Sequence, residues 1–203
     1  MTTMMINRPT NPNNLNNLNN LNNLNNLNNL NNPHKLFDVC QNFIGLHACK
    51  ITEAYNYAME MSQYSELNQK HGSSFICENG EIVVGYNHYE VYKRRPCVSI
   101  HAEEDAINNF ILIHQLRGYS DRNIRKRLKK SILLTVRSKN GCPGLSAPCK
   151  NCLILIKYYG IKQIIYSIDS NHNILLQKTK NLNISRPSSG QRWLVHTSWI
   201  DTR

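Results

Sequence analysis

The run Ser131-Ile132-Leu133-Leu134-Thr135-Val136 constrains this fold most, because it offers almost no polar face. A strand so uniformly apolar needs cover on both sides, whereas a strand with one solvated face alternates. The neighbouring segments can supply that cover. Ala102, Ala106, Ile107, Phe110, Ile111 and Ile113 recur at helical spacing from His101 to about Leu116, where Gly118 ends the pattern. Downstream, Leu153, Ile154, Leu155, Ile156 and Tyr159 form a second apolar helix, capped by Gly160. Ile161 to Ile168 reads as another strand, and Ile174 to Lys178 as its return. The intervening turn, Asp169 to Asn173, is too short to hold a helix, so the return strand must run antiparallel.

Upstream, apolar residues from Leu36 to Met61 recur every three or four positions, as in an amphipathic helix broken near Gly45. His47 falls within that stripe and reads as a core or interface residue. Ser73–Glu78 and Glu81–Tyr86 are β-rich and joined by Asn79-Gly80, the pair favoured in a two-residue type I′ turn. Together these elements predict an α/β domain: one mixed sheet, helices on both faces, a parallel centre and antiparallel ends.

That domain is expected over residues 34–182. Residues 1–33 carry an Asn-Asn-Leu triplet through Leu15, Leu18, Leu21, Leu24, Leu27 and Leu30. A period of three matches neither helix nor strand, so this tail is read as disordered low complexity. Residues 183–203, with Trp193 and Trp199, are read as an irregular tail.

Charge narrows the partners rather than the fold. The chain of 203 residues carries 24 Lys and Arg against 13 Asp and Glu, a formal charge of +11. Such an excess favours polyanionic company. Arg122, Arg125, Lys126, Arg127, Lys129 and Lys130 concentrate it in one segment, read as a solvated connecting helix or as a nucleic-acid contact. Tyr89, Tyr92, Lys93, Arg94 and Arg95 form a second aromatic and basic loop. The seven cysteines are odd in number and follow no secretory signal, so a reducing, cytoplasmic setting is expected rather than a disulfide framework. No segment approaches the ~18 apolar residues of a membrane helix.

In such a setting a close cysteine pair more often binds metal or does chemistry. Cys149 and Cys152 sit at i and i+3 in the first turn of a helix, on one face, where the positive helix end favours thiolates. His101, at the start of the other helix, completes a three-ligand set for Zn²⁺ that leaves one tetrahedral position open. Glu103, two residues on, is placed to relay protons without coordinating. Each half alone is weak: a Cys-x-x-Cys arises about 0.2 times by chance at this cysteine content. The proline before it, and the strand leading into each motif, make coincidence a poor account.

His101-x-Glu103 with Pro148-Cys149-x-x-Cys152 resembles the signature of zinc-dependent base deaminases. From about His71 to Leu182 the chain resembles the cytidine deaminase-like superfamily. The resemblance implies a three-layer α-β-α fold with a mixed five-stranded sheet and antiparallel hairpins at both ends. It implies zinc at His101, Cys149 and Cys152, proton shuttling by Glu103, and substrate contacts from Asn87, the Ala102 N–H and the Ser146 carbonyl. It implies homo-oligomers and hydrolytic deamination of a free nucleoside or nucleotide. The helix motif around His101 resembles the deoxycytidylate form, whereas an antiparallel last strand resembles nucleoside deaminases. A longer gap between His101 and Cys149, read as largely due to the basic segment, departs from most members.

Three other readings remain open at this point. A fourth ligand from Cys142 or Cys97 would close the zinc site and leave an inactive binding module. A thioredoxin-type redox pair would use the two cysteines but not His101 or Glu103. An editing-type deaminase would act on RNA or DNA through the Arg122–Lys130 segment, with binding that falls steeply with salt.

Overall fold

A computed structural model describes residues 46–184, apart from 90, 93–94 and 97–98. The two tails, the side chain of His47, Cys97, and the side chains of Tyr92 and Arg95 lie outside the described residues. The elements run α1 (Leu46–Gln63), β1 (Lys70–Ile76), β2 (Ile82–Tyr86), a two-residue pair β3 (Val91–Tyr92) and β4 (Arg95–Pro96), then α2 (Ala102–Leu116) and α3 (Asp121–Leu128). There follow β5 (Ile132–Lys139), β6 (Cys142–Gly144), α4 (Lys150–Tyr159), β7 (Gln163–Ser167), β8 (Ile174–Lys178) and a 3₁₀ turn at Thr179–Asn181.

The main sheet has the order β2-β1-β5-β7-β8, with β6 paired beside β5. β5 and β7 are parallel, and β7–β8 and β1–β2 are antiparallel, so the expected five-strand path is present. β6 is an added sixth strand where the sequence read as loop. Its cause is the Asn140-Gly141 turn, both of whose residues have positive φ, 53° and 79°, as a type I′ hairpin requires. The Asn79-Gly80 pair does not form that turn. Instead Gly80 N–H bonds the Cys77 carbonyl and Cys77 N–H bonds the Glu81 carbonyl, with only Gly80 at positive φ. That is a three-residue loop with a bulge, and it corrects the two-residue expectation.

Alternation along each strand sends residues to two cores. Phe75, Leu133 and Ile164 meet α2, α3 and α4, while Ile76, Leu134, Val136 and Ile165 meet α1. β5 is therefore covered on both faces, and the layers are helix, sheet, helix. Two glycines let helices approach the sheet. A Cβ on Gly72 would lie 1.8 Å from the Ala58 carbonyl oxygen of α1, and one on Gly85 2.3 Å from the Ala106 nitrogen of α2. No real Cβ tolerates either contact, so the helix docking requires glycine there. Among the described residues, no helix is long and apolar enough to cross a membrane.

Candidate active site

The two helix starts converge because of what precedes them. β2 ends at Tyr86, and a bridge then pairs His88 with Ile100, delivering His101 to the start of α2. The buried Asp105, in the first turn of α2, accepts the Tyr86 N–H at 3.1 Å, and Asn109 donates to the Val84 carbonyl at 2.9 Å. These bonds lock α2 against the end of β2. On the other side, Ser146 is sewn to two strands. Its hydroxyl donates to the Thr135 carbonyl at 2.7 Å, its N–H donates to the Ser167 carbonyl at 2.9 Å, and the Ser167 N–H donates back to its hydroxyl. Ser167 in turn donates its hydroxyl to the Gly144 carbonyl. This buried network fixes the loop that carries Cys149 into α4.

His101 and Cys149 are the N-caps of α2 and α4, respectively. His101 makes no capping bond with its side chain; Nδ1 turns instead to Cys152 Sγ at 3.2 Å and Cys149 Sγ at 3.5 Å. The three donor atoms lie within 4.8 Å of one another. A tetrahedral ion with bonds of about 2.0–2.3 Å sets its ligands roughly 3.5–3.8 Å apart, so two sulfurs and a nitrogen here suit zinc. Among the described residues, no further His, Cys, Asp or Glu joins the group; Cys142 is exposed on β6.

Without an ion the three groups share protons. Cys149 is pulled down to about 4, chiefly because the Cys152 thiol donates to it, and partly because His101 does. Cys152 is raised well above the usual thiol range by that same bond and by burial. His101 is raised to about 8, first by its bond to Cys149. The α4 N-terminus adds its partial positive charge to the thiolate side. Glu103 is 5% exposed, and burial raises its pKa against the pull of His101. A carboxyl so placed holds a proton more readily than one in water.

Of the remaining residues expected at the site, Ala102 is fully buried and opens α2, where its N–H has no partner within the helix. Asn87 is buried, its Oδ1 taking the His71 N–H at 2.7 Å and its Nδ2 donating to the Gln69 carbonyl at 2.6 Å. Each amide end thus retains one further bond of capacity. The Ser146 carbonyl is not used by the network that holds its hydroxyl and N–H.

Sequence reasoning missed Asp105, His71 and Arg137. An acidic residue in a first helical turn reads as dipole compensation, and only the docking of β2 shows Asp105 positioning the helix. His71 and Arg137 are far apart in sequence and meet through the β1–β5 register. The long gap from His101 to Cys149 also has two causes, α3 and the β5–β6 hairpin, rather than the basic segment alone.

The family described as "Cytidine and deoxycytidylate deaminase zinc-binding region" matches residues 49–168. Similar solved structures include a cytidine deaminase from Burkholderia pseudomallei, with 15% identity over 66% of this chain and 97% of that one, TM-score 0.47. A cytidine deaminase from Mycobacterium tuberculosis has 14% identity over 67% and 95%, TM-score 0.45. A dCMP deaminase from the cyanophage S-TIM5 has 25% identity over 60% and 85%, TM-score 0.40. No curated protein matches the sequence.

Proposed function

Because the chain belongs to the cytidine and deoxycytidylate deaminase zinc-binding family, we propose that it is a hydrolase that removes the amino group from a cytidine-type nucleoside or nucleotide. The observation that carries this reading is Glu103, buried beside a three-ligand set that suits zinc yet not part of that set. Zinc, held by His101, Cys149 and Cys152, supplies the Lewis acidity that makes water nucleophilic near neutral pH.

This chain's residues do the rest. The Glu103 carboxylate takes a proton from the water that adds to the ring carbon bearing the amino group. It passes that proton to the adjacent ring nitrogen, then carries the remaining hydroxyl proton to the departing amino nitrogen, so that water and aminopyrimidine become ketopyrimidine and ammonia. Its raised pKa suits both halves of this exchange, since a general acid–base works best near the operating pH. The Ala102 N–H orients the pyrimidine carbonyl, and the Ser146 carbonyl accepts from the amino group. Asn87, fixed by its two bonds to β1, presents its remaining amide hydrogen to the sugar.

An editing-type role would recruit the basic segment, and its position argues against that. Lys130 pairs with Glu78 at 3.0 Å, and Arg117, at the end of α2, pairs with Glu81 at 2.7 Å. Both acids flank the β1–β2 turn, so α3 lies at the opposite end of the sheet from His101. Its arginines are partly spent within the fold. Arg125 stacks over Tyr158 at 4.8 Å and Arg127 over Tyr119 at 4.3 Å.

The test is a deamination panel over cytidine, deoxycytidine, their monophosphates, guanine and short RNA or DNA, with zinc content measured and Glu103→Ala as control. Conversion of a free pyrimidine nucleoside or nucleotide that is lost with Glu103 is the expected result. A one-zinc protein that converts nothing in the panel, or activity that survives loss of Glu103, contradicts the mechanism.

A further inference from the structure

The face of the sheet that carries α2 and α4 holds a row of polar side chains that the reaction as described leaves unused. Tyr86 packs towards Tyr64 at the end of α1, opposite the face that carries α2, and Asn87 follows it with its amide bonded to the β1 backbone at His71 and Gln69. Gly72 abuts α1, so His71 lies on the α2 face. Ser138 accepts a bond from Gln63 of α1, so Arg137 also shares it. His71 bonds Asn87 through its backbone and stands directly across from Arg137 in the β1–β5 register. Asn87, His71 and Arg137 therefore form one row across three adjacent strands, spaced about 4.8 Å per strand. The row lies at the strand ends from which His101 and Cys149 rise, and His71 is within electrostatic range of both.

Arg137 is the anomaly in that row. Its Nε is shut off from solvent and meets no hydrogen-bond partner. Among the described residues its guanidinium has no carboxylate within ion-pairing distance. Its stem passes Gly144, where a Cβ would lie 3.8 Å from Cδ, in ordinary contact. A buried donor without an acceptor costs the desolvation of that group, and a charged one costs more. Among the described residues that acceptor is missing, and a bound anion can supply it. The planar fork of arginine fits a phosphate with two parallel bonds.

We propose that Arg137, with His71 beside it, recognises a phosphate on the sugar of the substrate, which is therefore a pyrimidine nucleoside monophosphate rather than the free nucleoside. The assignment rests on the deaminase reading above only for the identity of the base. The bond from Arg137 forms at the substrate and not at the metal.

The full chain, zinc-loaded and of verified zinc content, is assayed for kcat/KM on deoxycytidylate and deoxycytidine, beside Arg137→Gln and Arg137→Lys. Binding of the unreactive products deoxyuridylate and deoxyuridine is measured by calorimetry on the same proteins, with inorganic phosphate as competitor. The unsubstituted chain favours the monophosphate in both assays. Arg137→Gln lowers the ratio of monophosphate to nucleoside by about 10- to 100-fold, and Arg137→Lys lowers it less, since it keeps the charge but loses the fork. Equal handling of monophosphate and nucleoside by the unsubstituted chain overturns the assignment. So does a fall in both substrates by the same factor in Arg137→Gln, which marks a merely structural arginine. Deamination without phosphate discrimination removes this assignment alone. Phosphate-dependent product binding without deamination removes the reaction and leaves the anion site standing.

Discussion

The two ends of the sheet handle charge in opposite ways. At the turn end, Arg117 meets Glu81, Lys130 meets Glu78, and Arg125 and Arg127 lie over tyrosines, all at or near the surface. At the other end Glu103 is buried without a cation bonded to it, Arg137 keeps a sequestered and unpartnered Nε, and three metal-type donors face one another. Exposed pairs contribute little and are screened by salt. Buried groups left unsatisfied are costly and persist where a ligand completes them. By that contrast the candidate site is the end where the electrostatics are unfinished, while the basic segment has Arg125, Arg127 and Lys130 already engaged within the fold.

The largest way to break the contrast is at Glu103. Glu103→Gln should lower kcat about 10²- to 10⁴-fold while zinc content holds, because an amide cannot exchange the proton. The same change should stabilise the metal-free protein at neutral pH. Burial raises the Glu103 pKa, so its favourable contribution is complete below the unfolded value, about 4.3, and is lost as pH rises through the folded value. For the reaction the sign runs the other way. Glu103 must be ionised to accept a proton, so kcat/KM should fall on the acid side as Glu103 takes up its proton. A profile flat down to pH 4 contradicts that role.

Next in size is Gly85→Ala. Its Cβ meets the backbone of Ala106, which can yield only if α2 moves, and overpacking of this kind costs about 1–3 kcal/mol. Urea unfolding should show that loss, and zinc affinity should fall with it because His101 rides on the same helix. Unchanged zinc affinity in a destabilised Gly85→Ala would separate helix docking from ligand placement. Asp105→Ala probes the same joint more gently. It should cost about 1–3 kcal/mol, as the Tyr86 N–H loses its acceptor in a half-buried place.

The smallest effect belongs to the turn end. Glu81→Gln removes the carboxylate that Arg117 holds below its ordinary pKa, so the stabilisation it loses is present at neutral pH and fades as pH falls. Since the pair is partly exposed, the loss should be at most about 1 kcal/mol and should shrink at high salt. Lys126→Glu on α3 should leave turnover of a free nucleotide unchanged. A large drop there returns the basic helix to the site.

Much of this was legible in the sequence, for a physical reason. His101, Glu103, Cys149 and Cys152 fall at helix starts after apolar strands, and local periodicity marks both. β8 was readable as antiparallel because five residues from Asp169 cannot cross a sheet. What escaped depended on register or on the choice between similar turns. Asn79-Gly80 and Asn140-Gly141 are the same dipeptide, yet only the second has positive φ at both residues, since Cys77 and Glu81 close a larger loop around the first. Arg137 looks like any polar residue near a strand end until Ser138 is seen facing α1. The sequestering of its Nε is a property of neighbouring strands together.

The account depends most on the metal site being open. X-ray absorption at the zinc edge of the full, zinc-loaded chain measures that directly. The predicted first shell is two sulfurs at about 2.3 Å with two light atoms at about 2.0–2.1 Å, one from His101 and one from solvent. A third sulfur, from Cys142 or Cys97, would mean a closed structural site and would contradict the catalytic account.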